Sequence, residues 1–292
     1  MLYSPLNYQG NKSRIVDYLL ALLPDDTTSI REIFCGSAIL SFASQVNQIH
    51  LNDINPYILD LIRYFHNNEA EAIITQADEV IERYGLTNTF YQGRAIYPEF
   101  QHEGLSRYNK DAYNLLRADY NTDKDIVKLF VLLIYGFNHY LRFNNKDEFN
   151  VPVGKVDFVK TLRDKTRTYC NAIRNKQLHI TNLDFRCEQL YIGAEQTTLF
   201  YFDPPYLITQ APYNISWTEQ DECDLLNLID GLNDNGYRFM LSNVSQSNGK
   251  RNNLLCDWMQ KYNVRHIHRQ YLNSSYQKKN LSAADEVVIS NF

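Results

Sequence analysis

Apolar positions along the chain follow two rhythms. Short runs recur at residues 31–34, 48–52, 177–180, 198–202, 237–243, 264–270 and 286–290, each bounded by polar or turn-forming residues. Runs of this length predict strands, most of them buried. Between several of them, apolar residues fall at helical spacing. Ile15, Leu19, Leu22 and Leu23 mark a helix over 13–23 that Pro24 ends. Ile39, Leu40, Phe42 and Ala43 mark the next, and further helices are predicted over about 218–233 and 252–262. From Pro56 to about Asn175 the strand rhythm disappears. Helices are predicted there over about 57–67, 69–84, 106–120, 124–136 and 158–174. Residues 137–152, rich in asparagine and aromatics, break that pattern as a loop or small hairpin. Strand alternating with helix predicts an α/β fold. The long helical stretch reads as an insert carrying recognition. The expected domains are 1–56 with 176–292, and 57–175.

Composition narrows this only slightly. The chain has 292 residues, 44% apolar and 22% charged, ordinary for a soluble globular protein with one large or two modest domains. The longest apolar run, 129–137, is too short for a bilayer, and the first residues carry no secretion signal, so no membrane partner is expected. Cys35, Cys170, Cys187, Cys223 and Cys256 are scattered and contain no CxxC pair, so reduced cytoplasmic thiols are expected and a metal framework is not. Net charge is −5, but residues 249–284 hold seven Lys/Arg against Asp257, and 142–176 hold nine against four acids. Such local patches suit phosphate contact or simply a solvated helix face.

The chemistry concentrates at Thr198-Leu199-Phe200-Tyr201-Phe202-Asp203-Pro204-Pro205-Tyr206. An apolar run stops at two prolines, which permit neither helix nor ladder. Asp203 and Tyr206 are therefore held at the carboxyl end of a strand, where open α/β sheets bind ligands. The Asp203 carboxylate and the Pro204 carbonyl are both acceptors, and Pro205 adds no N–H. Together they can grip an exocyclic amine while Tyr206 stacks on its ring. Taken alone, the tetrapeptide also fits a solvated turn with a packing tyrosine. Cys35-Gly36-Ser37-Ala38 forms a small-residue loop between strand and helix, and Asp53 ends the next strand. An acid about 20 residues beyond such a loop suits ribose hydroxyls, and a helix cap ahead of Pro56 is the other reading.

With these motifs in place, the chain resembles the Dam-like, D12-class N6-adenine DNA methyltransferases of the Asp-Pro-Pro-Tyr type, almost end to end. Tyr8-Gln9-Gly10-Asn11-Lys12 is similar to the family's opening motif, and Glu32-Ile33-Phe34-Cys35-Gly36-Ser37-Ala38 to its cofactor loop. Asn52-Asp53-Ile54-Asn55 matches a further element. Arg142-Phe143-Asn144 with Glu148-Phe149-Asn150-Val151-Pro152-Val153-Gly154 resembles the family's recognition segment, and Ser242-Asn243 with Ser274-Ser275-Tyr276 and Glu286-Val287 its late motifs. Ile33 and Ala38 depart from the proline and last glycine of the cofactor loop. Asn7 stands where some members that read GATC carry a lysine.

The resemblance implies a seven-stranded, mostly parallel Rossmann-like sheet whose last strand is antiparallel, with an inserted helical DNA-recognition domain. It implies S-adenosyl-L-methionine as cofactor, lined by Phe34, Gly36 and Ser37, with Tyr8 and Lys12 over the methionine end. Asp53 would serve the ribose, and Asp184 with Phe185 the adenine; a cap is the other reading of Asp184. A target adenine flipped out of double-stranded DNA would meet Asp203, Pro204, Pro205 and Tyr206. Arg142 would read guanine. Phe137, Asn138, Tyr140 and Asn144 would lie at the bases, with core packing the other reading of Phe137 and Tyr140. Lys278, Lys279 and Arg269 would contact phosphates. A bacterial or phage cytoplasm, a monomer or weak dimer, and a cognate restriction endonuclease complete the expectation. Two other readings are methylation of a different planar amine (cytosine N4, RNA adenine, glutamine) and a non-catalytic DNA-binding relative.

Overall fold

The computed structural model describes residues 2–6, 12–97, 104–209, 217–267 and 284–292. The chain divides into two compact units. The first, Met1–Leu22 with Gly36–Gln45 and Asn55–Lys176, is helical. Its helices are α1 (Val16–Leu20), α2 (Ile39–Ala43), α3 (Pro56–Asn67), α4 (Ala70–Tyr84), α5 (Thr89–Gln92), α6 (Ser106–Asp123), α7 (Ile126–Tyr135) and α8 (Lys160–Ile173). In α7 every residue from Leu129 to Tyr135 is buried, so it is a core helix, apolar all round. The amphipathic helices α3, α4 and α8 bury one face each. Asn55 caps α3, accepting from Tyr57 N at 3.0 Å, and Asp125 caps α7, accepting from Lys128 N at 2.9 Å.

The second unit, Leu23–Cys35 with Val46–Ile54 and Gln177–Phe292, carries the sheet. Its strands are β1 (Ser29–Glu32), β2 (Gln48–Asn52), β3 (Gln177–Thr181), β4 (Thr198–Phe202), β5 (Arg238–Ser247), β6 (Asn263–Ile267) and β7 (Asp285–Ser290), with α9 (Glu219–Asp234) and α10 (Asn253–Trp258). The order is β3-β2-β1-β4-β5-β7-β6, and a two-residue strand, Lys250–Arg251, pairs with β5 as an eighth. The ladders from β3 through β5 are parallel, and β7 runs antiparallel to both β5 and β6. This is a mixed, mostly parallel α/β sheet, as expected. Strand β4 is buried at all five positions, consistent with its central place. One core packs Phe200, Phe202, Phe239 and Leu241 of the sheet against Leu225 and Ile229 of α9 and Leu255 and Trp258 of α10.

Several boundaries differ from the pattern reading. Strand β1 begins two residues earlier than the apolar run, because Ser29 Oγ pairs with Thr198 Oγ1 at 2.8 Å and extends the ladder. The first helix is shorter, with a 3₁₀ turn at Lys12–Arg14 before α1. Strand β5 continues past its polar residues to Ser247, with Ser242, Asn243, Ser245 and Ser247 all buried. The expected strand over 264–270 is observed as Asn263–Ile267, and its last three residues lie outside the described ones. Among the described residues no helix is long and apolar enough to cross a membrane.

Candidate functional site

Chain direction explains where the site lies. From β1 the chain adds β2 and β3 on one side, and from β4 it adds β5 on the other. The order reverses between β1 and β4, and ligands of open α/β sheets bind at the carboxyl ends of strands at such a point. Glu32 and Asp203 stand at these two strand ends.

Asp203 leaves β4 on the Pro204-Pro205 turn. The Tyr206 hydroxyl donates to its Oδ1 at 2.9 Å. Burial, then the carboxylates of Asp203 and Glu286, hold the Tyr206 hydroxyl well above the usual tyrosine range. It therefore remains a donor at any working pH. Tyr201, two residues before Asp203, bonds Ser242 Oγ in the middle of β5 at 2.9 Å, which ties the two strands together beside the turn.

At the next strand end Asn52 is buried and fully engaged. Its Nδ2 donates to Ile33 O and Leu183 O, both at 3.0 Å, and its Oδ1 accepts from Leu183 N and Thr181 Oγ1, both at 3.0 Å. One side chain thus ties the ends of β1, β2 and β3 together. Asp53 follows, also buried, and its backbone carbonyl accepts from Asn182 Nδ2 at 2.7 Å. The helix ahead is capped by Asn55, so Asp53 is not the cap. Burial, then Asp53 and Glu32, push the Cys35 thiol up, which makes it an inert packing residue.

Beside these ends stands a wall of three rings. Phe34 and Phe185 lie 5.5 Å apart, Phe34 and Trp217 5.7 Å, and Phe185 and Trp217 5.5 Å between centroids. Asp184 forms a local turn, accepting from Arg186 N at 2.9 Å, and pairs with the Arg186 guanidinium at 3.3 Å. Arg186 also binds Asp221 and Asp224 and lies 4.3 Å from the Phe185 ring. The Asp184 carboxylate is thus part of a salt-bridged cluster beside the wall, not a helix cap.

The three-ring wall, the buried Asp53 carboxylate and the Asp184 carboxylate next to Phe185 together suit an adenosyl group. The sheet unit brings Phe34, Asp53, Asp184, Phe185, Asp203, Pro204, Pro205 and Tyr206 to the carboxyl ends of its strands. Pattern reading carried Asn52 only inside the Asn52-Asp53-Ile54-Asn55 element, with no role, and missed Trp217 and Glu222. Glu222 had a signal: it lies on the same helical stripe as Leu225, Leu226 and Ile229, an acid among core positions.

Lys12 and Ser37 are buried, and the Tyr169 hydroxyl donates to Ser37 O at 2.9 Å. Gly36 has φ 46° and Ala38 φ 50°. Alanine in this left-handed region costs about 1–2 kcal/mol, and glycine avoids that cost. Residues 137–152 fold as a hairpin-like loop, with antiparallel bridges Gly136↔Val153 and Phe143↔Phe149. Its return arm is held by one face of α6. Tyr113 Oη and Arg117 Nη1 donate to Val151 O at 3.1 Å, and Asn121 exchanges bonds with Phe149 N and O at 2.8 and 3.1 Å. These residues sit four apart, on one helix face. Gly154 closes the loop, where an added Cβ would meet Gly136 O at 2.7 Å.

Arg142 lies in this loop, donating to Asn150 Oδ1 at 2.7 Å and Asn150 O at 3.1 Å. Asn144 organises the turn, with its Oδ1 accepting from Lys146 N and Glu148 N. Phe137 is exposed, so it is not a core residue, and its ring meets Tyr140 at 6.3 Å, with Asn138 Nδ2 donating to Tyr140 Oη at 3.3 Å. Tyr8, Lys278, Lys279 and Arg269 lie outside the described residues, as does Asn7.

The family model described as D12 class N6 adenine-specific DNA methyltransferase matches residues 8–285. The type II methyltransferase M.FokI of Planomicrobium okeanokoites is 32% identical over 301 aligned positions, covering 99% of this chain and 43% of that protein. The modification methylase StsI of Streptococcus sanguinis is 32% identical over 299, covering 99% and 43%. A DNA adenine methylase of Escherichia coli (strain K12) is 22% identical over 251, covering 82% and 79%. The chain thus spans about 43% of the length of the first two relatives. A match over nearly the whole chain, on a sheet that gathers the motif residues at its strand ends, places this protein in the D12 class N6 adenine-specific DNA methyltransferase family.

Proposed function

We propose that this chain transfers a methyl group from S-adenosylmethionine to N6 of an adenine in double-stranded DNA. The observation that carries the reading is the Asp203–Tyr206 pair, 2.9 Å apart on a diproline turn at the end of β4. Family membership supports the substrate class. When bound, S-adenosylmethionine supplies an electrophilic methyl group. The chain's own residues position the amine. Asp203 and the Pro204 carbonyl accept from its N–H bonds, and this draws the nitrogen lone pair out of the ring and aims it. Tyr206 stacks on a base that has left the duplex, which costs a few kcal/mol to extrude. Holding the amine in an attacking orientation supplies much of the acceleration. Asp203 need not act as a general base, because the proton leaves after transfer. Asp53 accepts from ribose hydroxyls, and Phe34, Asp184 and Phe185 take the cofactor's adenine. The same resemblance proposes Lys12, Gly36 and Ser37 for cofactor contact, and Arg142, Phe137, Asn138, Tyr140 and Asn144 for DNA. A role beside a restriction endonuclease is part of the proposal.

The test is incubation with labelled S-adenosylmethionine and mixed-sequence duplex DNA, followed by nucleoside analysis. N6-methyladenine is expected from wild type and absent from Asp203→Ala. Label in cytosine, RNA or protein instead would overturn the DNA-adenine reading. A protein that does not bind S-adenosylmethionine would overturn the enzyme reading altogether.

A further inference from the structure

Glu222 is fully buried in the first turn of α9, yet no part of the proposed reaction uses it. Its carboxylate accepts three hydrogen bonds. Trp217 Nε1 donates to Oε2 at 2.7 Å, and Asn252 and Asn243 donate through Nδ2 to Oε1 at 2.7 and 3.1 Å. Every one of these donors is neutral. The two amides cannot turn round to offer oxygen instead. Asn243 Oδ1 already accepts from Val244 N at 2.7 Å, and Asn252 Oδ1 from Leu255 N at 3.1 Å. An indole is only a donor. The pocket therefore demands a group that only accepts, which is an ionised carboxylate.

Such a group is costly to bury without a cation. The helix entry needs nothing of the kind. Thr218 caps α9 in a capping box with Asp221, which places Trp217 just before the cap and Glu222 at the fourth helical position. These are the positions where two apolar side chains ordinarily pack to fix a helix entry. A leucine at 222 would serve that purpose. What the carboxylate adds is a fixed direction for the indole. The indole completes the ring wall, meeting Phe34 edge-on at 81° and Phe185 at 42°.

We propose that Glu222 is a positioning residue, orienting Trp217 so that the Phe34–Phe185–Trp217 wall is preformed for the adenine ring of the cofactor. This rests on the methyltransferase reading above. Glu222 touches no reacting atom and acts on the wall through Trp217, while Asn243 and Asn252 anchor its other oxygen. The wall binds the part of the cofactor that does not react, so its loss weakens ground state and transition state equally and raises KM without lowering kcat.

The experiment measures S-adenosylmethionine affinity by calorimetry for wild type, Glu222→Gln, Trp217→Phe and the double variant, with urea unfolding to confirm that each is folded. Glutamine must place an N–H against one of the three donors. We expect Glu222→Gln to weaken binding about tenfold, with turnover at saturating cofactor within about twofold of wild type. Trp217→Phe keeps a ring but loses the anchor and weakens binding similarly. The double variant should be no weaker than the worse single one, because both remove the same contact. In a Trp258→Phe background, which leaves Trp217 as the sole indole, Glu222→Gln should shift emission to the red. A folded Glu222→Gln that binds like wild type, or a double variant whose losses add, overturns the inference while leaving the enzyme reading intact. Should Glu222→Gln not fold, a Trp217→Phe that binds like wild type overturns it equally. Wild-type protein that ignores S-adenosylmethionine overturns the enzyme reading, and the inference falls with it.

Discussion

Two buried polar groupings, one in each unit, are satisfied in opposite ways. In the helical unit Arg163 is 1% exposed and its charge is cancelled on the spot. Asp78 takes both Nη atoms, at 2.7 and 2.6 Å, Phe158 O takes Nε at 3.0 Å, and the rings of Phe158 and Phe90 lie 4.2 and 4.5 Å from the guanidinium. In the sheet unit Asn52 and Glu222 are as deeply buried, but their partners are backbone groups and neutral side chains. The Arg163–Asp78 pair thus uses charge to pin α8 to α4. The sheet unit uses directional, neutral hydrogen bonds to fix strand ends and one ring. The difference separates polar burial that serves stability from polar burial that sets a direction.

Removing one partner in each unit sharpens this. Asp78→Ala leaves a buried guanidinium unpaired and should cost about 3 kcal/mol or more, read by urea unfolding. Adding Arg163→Met should recover part of that loss, because the uncompensated charge goes with it. A loss under about 1 kcal/mol would mean that the flanking rings and Phe158 O suffice, and the contrast between the units would weaken. Asn52→Leu comes next. It strands two carbonyls, one amide N–H and one hydroxyl at the ends of three strands, and should cost about 2 kcal/mol. Its second consequence decides the comparison. If Asn52 sets direction, the folded Asn52→Leu protein loses S-adenosylmethionine affinity beyond what its stability loss explains, since Phe34 and Asp53 follow the strand ends it ties.

The sequence made the sheet unit's frame legible and hid its details. Strand β4 is read correctly to the residue, because the apolar run ends at prolines that forbid any continuation. Strand β2 is read equally well. Strand β5 is read four residues short, since Ser242, Asn243, Ser245 and Ser247 look like a polar exit but are buried in the sheet unit. The turn that ends it, Asn248-Gly249 with φ of 49° and 76°, is a recognisable hairpin signal that leads into Lys250–Arg251. In the helical unit, α3 and α4 are legible from their apolar stripes, but α5 is not. It is only four residues long and sits among aromatics that pack around Arg163, so its helicity comes from tertiary contact and not from a periodic face. The site motifs were visible as residue types. The roles of their supports were not: Asn52 shows only as a motif residue and Glu222 only as an acid on an apolar stripe, because a hydrogen-bond network leaves no spacing signature of its own.

The smallest effect tests the uncompensated charge itself. Burial, outweighing the bonds from Trp217, Asn252 and Asn243, raises the Glu222 carboxyl above the usual glutamate range. The folded state therefore holds this proton more tightly than the unfolded chain does. Between the ordinary glutamate range and the raised value, the folded protein binds more protons, so this group's contribution to stability falls as pH rises through that window. Glu222→Gln cannot titrate. Its stability differs from wild type by a constant offset, from the lost acceptor, plus this slope. Urea unfolding of both proteins across mildly acidic pH should therefore show wild type losing ground to the variant as pH rises. A difference that stays flat would mean that the carboxyl titrates alike in both states and that the three donors cancel the cost of burial. A difference that runs the other way would mean that they more than cancel it, and Glu222 would then join Arg163 as a net stabilising group instead of standing apart from it.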